Sequence, residues 1–158
     1  MPPEARPAPI VAGAAAHLGA LESLYRHAAI NRHFKSTIEI REQGLARIRF
    51  EVEESMFHAA GAAHGTLYFK MMDDAAFYAC NSMVTDRFLL TTAFNLNFTR
   101  PLRAGPVTAE GRWVSGRRRV FVGEARLIDA EGEEAARGTG TFMRSHIPLA
   151  GLQGYSRG

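Results

Sequence analysis

The amino-acid sequence predicts an α+β fold: a curved antiparallel sheet of about six strands wrapped around one long central helix, with an extra helix at the N-terminus. Three observations carry this expectation. The stretch His64–Ser82, HGTLYFKMMDDAAFYACNS, is apolar almost all round at helical spacing, the mark of a buried helix rather than a surface one. The stretches on either side of it alternate with a period of two and are separated by turn residues. Gly111, Gly123, Gly138 and Gly140 stand inside the predicted strands, where a missing Cβ would let a curved sheet close on the helix.

Taken in order, residues 1–12 are proline-rich and carry no long apolar core, so they read as a poor signal peptide and a disordered tail. Residues 13–30 suit a helix with Leu18, Leu21, Leu24, Tyr25 and Ala28 along one side, leaving His17 and His27 as surface residues. Residues 34–42 alternate, Gln43-Gly44 turns the chain, and the next strand puts Ala46, Ile48, Phe50 and Val52 on one face. A loop of small residues leads into the central helix. After it, residues 88–100 place Thr92, Phe94, Leu96 and Phe98 on one face, and Pro101 ends that strand. Strands follow over 106–115, 119–129 and 134–144, joined by turns at Gly116-Arg117 and Ala130-Glu131-Gly132. One domain over 13–145 results, with 146–158 read as a C-terminal tail.

The totals bound the function. The chain has 158 residues and a formal net charge of +3, and an isoelectric point near 9.4 makes an anionic ligand plausible. No nucleic-acid motif accompanies that charge. No apolar run approaches the roughly 20 residues that span a bilayer, so no membrane partner is expected. Cys80 is the only cysteine, which excludes a disulfide framework and fits a reducing, cytoplasmic setting. Neither a metal nor a cofactor is expected.

The chemistry concentrates in the central helix. Asp74 shares a stripe with Lys70 and Asn81 and reads as a solvated charge with a lysine partner one turn back. Asp73 lines up with Phe69, Ala76, Phe77 and Cys80, so it is a carboxylate pushed into an apolar setting. Such a group either does chemistry or pairs with a partner elsewhere in the fold. Cys80 reads as a small core residue, because no histidine stands at a matching helical position.

From about residue 33 to 144 the chain resembles the hotdog-fold acyl-CoA thioesterases of the phenylacetate-pathway (PaaI-like) type. The resemblance rests on a polar residue six before a His-Gly pair and an acid nine after that histidine: His58, His64-Gly65 and Asp73. It is reinforced by Ala-Phe-Tyr-Ala-Cys-Asn-Ser at the helix end and by Phe-Asn-Leu-Asn-Phe-Thr-Arg-Pro over 94–101. It implies that Asp73 is general base or nucleophile, that the Gly65 N–H polarises the thioester carbonyl, and that Thr91 lies beside the acid. His58 departs from the Asn or Gln usual at its position, although imidazole can also donate or accept one hydrogen bond. His64 either starts the helix or also contacts the carbonyl.

An acyl-CoA substrate would need phosphate contacts. Arg117, Arg118 and Arg119 at a hairpin turn are a solvated turn or a phosphate site, with Arg100 and Arg103 as other candidates. Phe69 and Phe77 are candidate pocket residues for an aryl or medium alkyl acyl group. Gly65 and Asp73 are eight residues apart on one helix, about 12 Å along its axis at 1.5 Å per residue. One carbonyl cannot sit about 3 Å from both. The expectation is therefore an obligatory homodimer, with the two groups meeting across subunits, and room for dimers to pair into tetramers. The competing readings are a non-catalytic acyl-CoA binder on the same fold and a hydratase, whose pattern sets a histidine within the helix; here none follows His64.

Overall fold

The computed structural model describes residues 14–157; the stretch expected as a tail at 1–12 lies outside them. Helix α1 (Ala14–His27) and a 3₁₀ turn (Ala29–His33) lead into strands β1 (Ser36–Glu42) and β2 (Leu45–Val52). A second 3₁₀ turn (Glu54–Met56) precedes helix α2 (Gly65–Asn81), and β3 (Arg87–Phe98), β4 (Gly105–Ser115), β5 (Val120–Ile128) and β6 (Glu134–Pro148) complete the chain. The strands form one 6-stranded sheet in the order β1-β2-β4-β5-β6-β3, every pair antiparallel. This is the predicted α+β arrangement, with β1 and β3 left as the two edges.

Alternation puts the sheet's apolar side against α2. Ala46, Ile48, Phe50 and Val52 of β2 are all buried and their intervening neighbours exposed. On α2, Leu67, Met71, Met72, Ala75, Ala76, Ala79 and Cys80 are buried, as the all-round apolar pattern requires. Two glycines set how closely the layers approach. A Cβ at Gly111 would overlap the Ala75 carbonyl, and one at Gly123 would stand 2.8 Å from Cys80 Sγ. Gly138 and Gly140 serve a different neighbour from the one expected. Added Cβ atoms there would strike Phe94 at 2.7 Å, so these glycines make room for an aromatic ring of β3 rather than for the helix.

β3 also departs from simple alternation. Its pairing with β6 shifts register between Thr91 and Ala93. Phe94 and Leu96 pack partly on the core, while Thr92 and Phe98 stay exposed. An edge strand has nothing to cover its far side, so half of the expected face remains open.

The C-terminal stretch is not a tail over its whole length. β6 runs on to Pro148, Leu149 is fully buried, and Leu152 and Tyr155 pack against the core. Its anchor is His17, which is also not at the surface. His17 is completely buried; Tyr155 Oη lies 2.8 Å from its Nδ1, and its Nε2–H donates to the Asn81 carbonyl at 3.0 Å. The ring thus satisfies one of the unpaired carbonyls at the end of α2. Helix α1 stops at His27, earlier than expected, because Ala28 is extended (φ −63, ψ 127) and opens the 3₁₀ turn. His27 is exposed, as expected.

Burial holds the His17 pKa below its usual 6.5, with Arg157 adding to the effect and the Asn81 carbonyl opposing it. Folding therefore favours the neutral ring. Its contribution is full above about pH 6.5 and is lost as pH falls toward the lowered folded value. Thermal melts of the wild type and His17→Gln should differ most at pH 8 and converge toward pH 5; a constant gap across that range would contradict this account. No helix among the described residues is long and apolar enough to cross a membrane.

Candidate active site

The first group of site residues gathers where the chain enters α2. An isolated bridge joins Phe57 to Ala63, and the His58 N–H donates to the Ala62 carbonyl at 2.9 Å, closing a small loop. Gly61 turns it at φ +83, a conformation that favours glycine. His64 is the helix N-cap: its backbone is extended and its Nδ1 accepts the Thr66 N–H at 3.1 Å. That bond uses the second amide of the helix. The Gly65 N–H, one residue earlier, has no partner among the described residues and lies in the positive field of the helix end.

His58 stands on the exposed loop beside it. Its Nδ1 accepts the Ala60 N–H at 3.0 Å, so the neutral ring carries its proton on Nε2. That Nε2–H is a donor with no partner among the described residues. A cleft of about 400 Å³ opens here, and its walls include His58, Gly65, Tyr68, Phe98 and Arg100. Tyr68 is buried and its hydroxyl donates to the Arg100 carbonyl at 2.6 Å.

Asp73 lies two turns further along α2. It is half-buried, and Thr91 of β3 donates its hydroxyl to Oδ1 at 2.8 Å. Burial pushes the carboxyl pKa up to about 6 and the Asp74 charge adds to this, while the Thr91 bond and Lys70 oppose it. One helical turn back, Phe69 is 44% exposed and meets Phe94 edge to face at 5.8 Å. One turn forward, Phe77 is only 7% exposed and locked among Phe88, Tyr78 and Phe142. The two candidate pocket residues thus separate: Phe69 is available to a ligand and Phe77 is core.

Asp74 takes the place of a structural group, but not a solvated one. Its ion pair with Lys70 leaves the two side chains only 21% and 16% exposed respectively. Lys70 also donates to Asn31 at 2.6 Å and lies over the Tyr25 and Phe34 rings. Helix α1 and the 3₁₀ turn after it cover the stripe that the sequence left open to water. Asn81, at the end of that stripe, is fully buried and takes the Leu89 N–H at 2.8 Å. The Cys80 thiol is buried and pushed up to about 12, which leaves it unreactive.

The arginines differ in availability. Arg100 sits among Asp129, Glu131 and Glu133 of the β5–β6 turn at 3.6–3.9 Å, so its charge is already met. Arg117 lies 5.5 Å from the Trp113 ring, and Arg118 and Arg119 are exposed. Strand register puts this hairpin at the Asp73 end of the sheet: Val120 is level with Met143, and Met143 with Leu90, next to Thr91. Arg103 is exposed.

The fold has known counterparts. The profile of the thioesterase superfamily matches residues 60–136, the span that runs from the loop before Gly65 through Asp73 and Thr91 to β6. Over that span, just under half of the chain, the sequence is similar to the thioesterase superfamily. The E. coli PaaI protein of the phenylacetic acid degradation operon superposes with a TM-score of 0.77 at 22% identity, over 88% of this chain and 98% of that one. A Streptococcus mutans protein solved bound to acetyl CoA superposes with a TM-score of 0.65 at 21% identity, over 70% and 89%. A Sulfurisphaera tokodaii protein provisionally named as an esterase is 29% identical over 75% of this chain and 89% of its own. The shared fold is the hotdog.

Two residues of this cleft escape a reading of the sequence. Tyr68 lies three positions after Gly65, so helical spacing places it on the same side of the first turn. Phe98 closes β3, and only the placement of that strand end beside the helix start reveals it.

Proposed function

We propose that this protein hydrolyses an acyl-CoA ester at a site shared between two subunits, with Asp73 of one facing Gly65 and His58 of the other. The observation that carries the reading is the pairing of an unpartnered N–H at Gly65 with a half-buried, Thr91-bound carboxyl at Asp73 on the same helix. Their separation, about 12 Å along the axis, bars both from one carbonyl within a chain. β3 offers the means of bringing two chains together. It is an edge strand, and Leu90 and Phe69 beside the acid are large, exposed and apolar. A two-fold axis through paired β3 edges would run two α2 helices antiparallel, turning each Gly65 toward the partner's Asp73.

The chemistry then follows. The thioester carbonyl accepts from the Gly65 N–H and from the His58 Nε2–H. Asp73 removes a proton from water as it attacks the carbonyl carbon, or attacks that carbon itself to form a mixed anhydride that water then hydrolyses, freeing the acid and the carboxylate. The oxyanion is held by the two donors, each worth about 3 kcal/mol in comparable sites, and the CoA thiolate departs. Thr91 keeps one carboxylate oxygen in place. The Arg117–Arg119 turn, on the Asp73 end of the sheet, is the best placed group for the CoA phosphates; Arg100 is committed to its three acids. Phe69 is the candidate acyl contact. A CoA ester and a reduced Cys80 both fit a cytoplasmic setting.

His58 is the point at which a binding-only reading could enter, since it replaces the amide usual there. Its tautomer argues for retained catalysis, because Nε2–H offers the same kind of donor. His58→Gln should keep turnover within about tenfold of wild type, whereas His58→Ala should lose about 10²-fold or more in kcat. Equal activity of all three would remove His58 from the site. The overall reading is tested by thiol release from aryl- and alkyl-CoA esters of graded length. Binding of these esters without thiol release would favour the binder.

A further inference from the structure

We propose that Phe98 is the specificity-determining wall of the carbonyl site and excludes acyl groups branched at the carbon next to the carbonyl; this rests on the thioester-hydrolase reading above. Phe98 ends β3 and is 57% exposed, the most exposed of the large apolar side chains among the described residues. It is nevertheless held in place. Its ring meets Tyr68 edge to face at 4.9 Å, and Tyr68 is itself buried and tied through its hydroxyl to the Arg100 carbonyl. The exposed face of a fixed ring at the rim of a cleft is a surface for a ligand.

The ring also explains the residue opposite. Gly65 is not among the glycines with positive φ, so its backbone suits any L-residue. What a side chain there would meet is Phe98: a Cβ would stand 3.3 Å from Cζ and 3.5 Å from Cε1. A side chain at 65 would therefore press on this ring and have to displace it by a few tenths of an ångström, and the space beside Gly65 is bounded by the ring. A carbonyl oxygen about 2.9 Å from the Gly65 N–H brings its carbon, and the atoms flanking that carbon, to the same confined spot. A straight acyl chain can leave along the cleft. A methyl branch beside the carbonyl must enter the volume that Phe98 occupies, and in apolar pockets one such group is worth about 10- to 200-fold in kcat/KM.

The test compares thiol release from straight-chain butyryl-CoA and branched isobutyryl-CoA. Wild type should prefer the straight ester by at least about tenfold, and Phe98→Ala should bring the ratio close to one by raising kcat/KM for the branched ester. Phe98→Leu, which keeps apolar bulk at the strand end, should give an intermediate ratio and guards against a folding defect in the alanine variant. Gly65→Ala, which retains the N–H, should lose activity on both esters and regain at least part of it in Gly65→Ala/Phe98→Ala. An active wild type whose ratio is the same in both Phe98 variants, with no regain in the double variant, overturns the role of Phe98 alone. A wild type that releases no thiol from any ester overturns the underlying reading as well.

Discussion

Replacing Asp73 with Asn should lower kcat on a good acyl-CoA ester by about 10²–10⁴-fold, the range a positioned general base contributes, with larger losses if the carboxylate is the nucleophile. Asn fills the same volume and can still accept the Thr91 hydroxyl bond, so the loss reports chemistry and not collapse of the site. The wild-type profile carries a second signature. The carboxyl titrates near 6, so kcat/KM should rise with pH through about 6 and level off above it. That limb should be absent from the residual activity of Asp73→Asn.

Stability should move the other way. A carboxyl whose folded pKa is raised from 3.8 to about 6 favours folding only in its protonated form. The charged form imposes its cost fully above about pH 6, and the cost vanishes below the unfolded value of 3.8. A shift of this size corresponds to at most about 3 kcal/mol. Asp73→Asn should therefore melt higher than wild type at pH 8, with the gain shrinking toward pH 4. A variant that melts lower at pH 8 would mean that Asp73 stabilises the fold, contrary to an acid kept for function.

Much of the arrangement is legible in the sequence because it depends on local periodicity. The apolar residues around α2 announce its burial, and Ala46, Ile48, Phe50 and Val52 announce the inward face of β2. Asp73 stands out because its helical neighbours are apolar. What escapes the sequence depends on partners far along the chain. His17 lies on the same helical face as Leu21 and Leu24, yet its burial needs Tyr155 and Asn81, 138 and 64 residues away. Asp74 reads as solvated from the sequence because nothing local shows that Asn31 and Tyr25 cover Lys70. Leu149, Leu152 and Tyr155 stand in a short stretch broken by Gly151 and Gly154, so they read as a tail until the hydrophobic surface they cover is in place.

The second large effect concerns Gly65, where proline would delete the N–H while remaining compatible with the first position of a helix. Gly65→Pro should cost about 10²–10³-fold in kcat, the value of one oxyanion donor, and more if the ring presses on Phe98. Gly65→Pro and Asp73→Asn together reach the central claim, that each site takes its donor from one subunit and its acid from the other. Each variant alone should be nearly inactive. Unfolding and refolding an equimolar mixture makes half of the dimers mixed, and in each of these one site holds both an intact Gly65 and an intact Asp73. Thiol release should then recover to about a quarter of the wild-type rate per chain, as random two-fold pairing requires. A mixture that stays as inactive as its two components would show that Gly65 and Asp73 act within one chain, or not together at all.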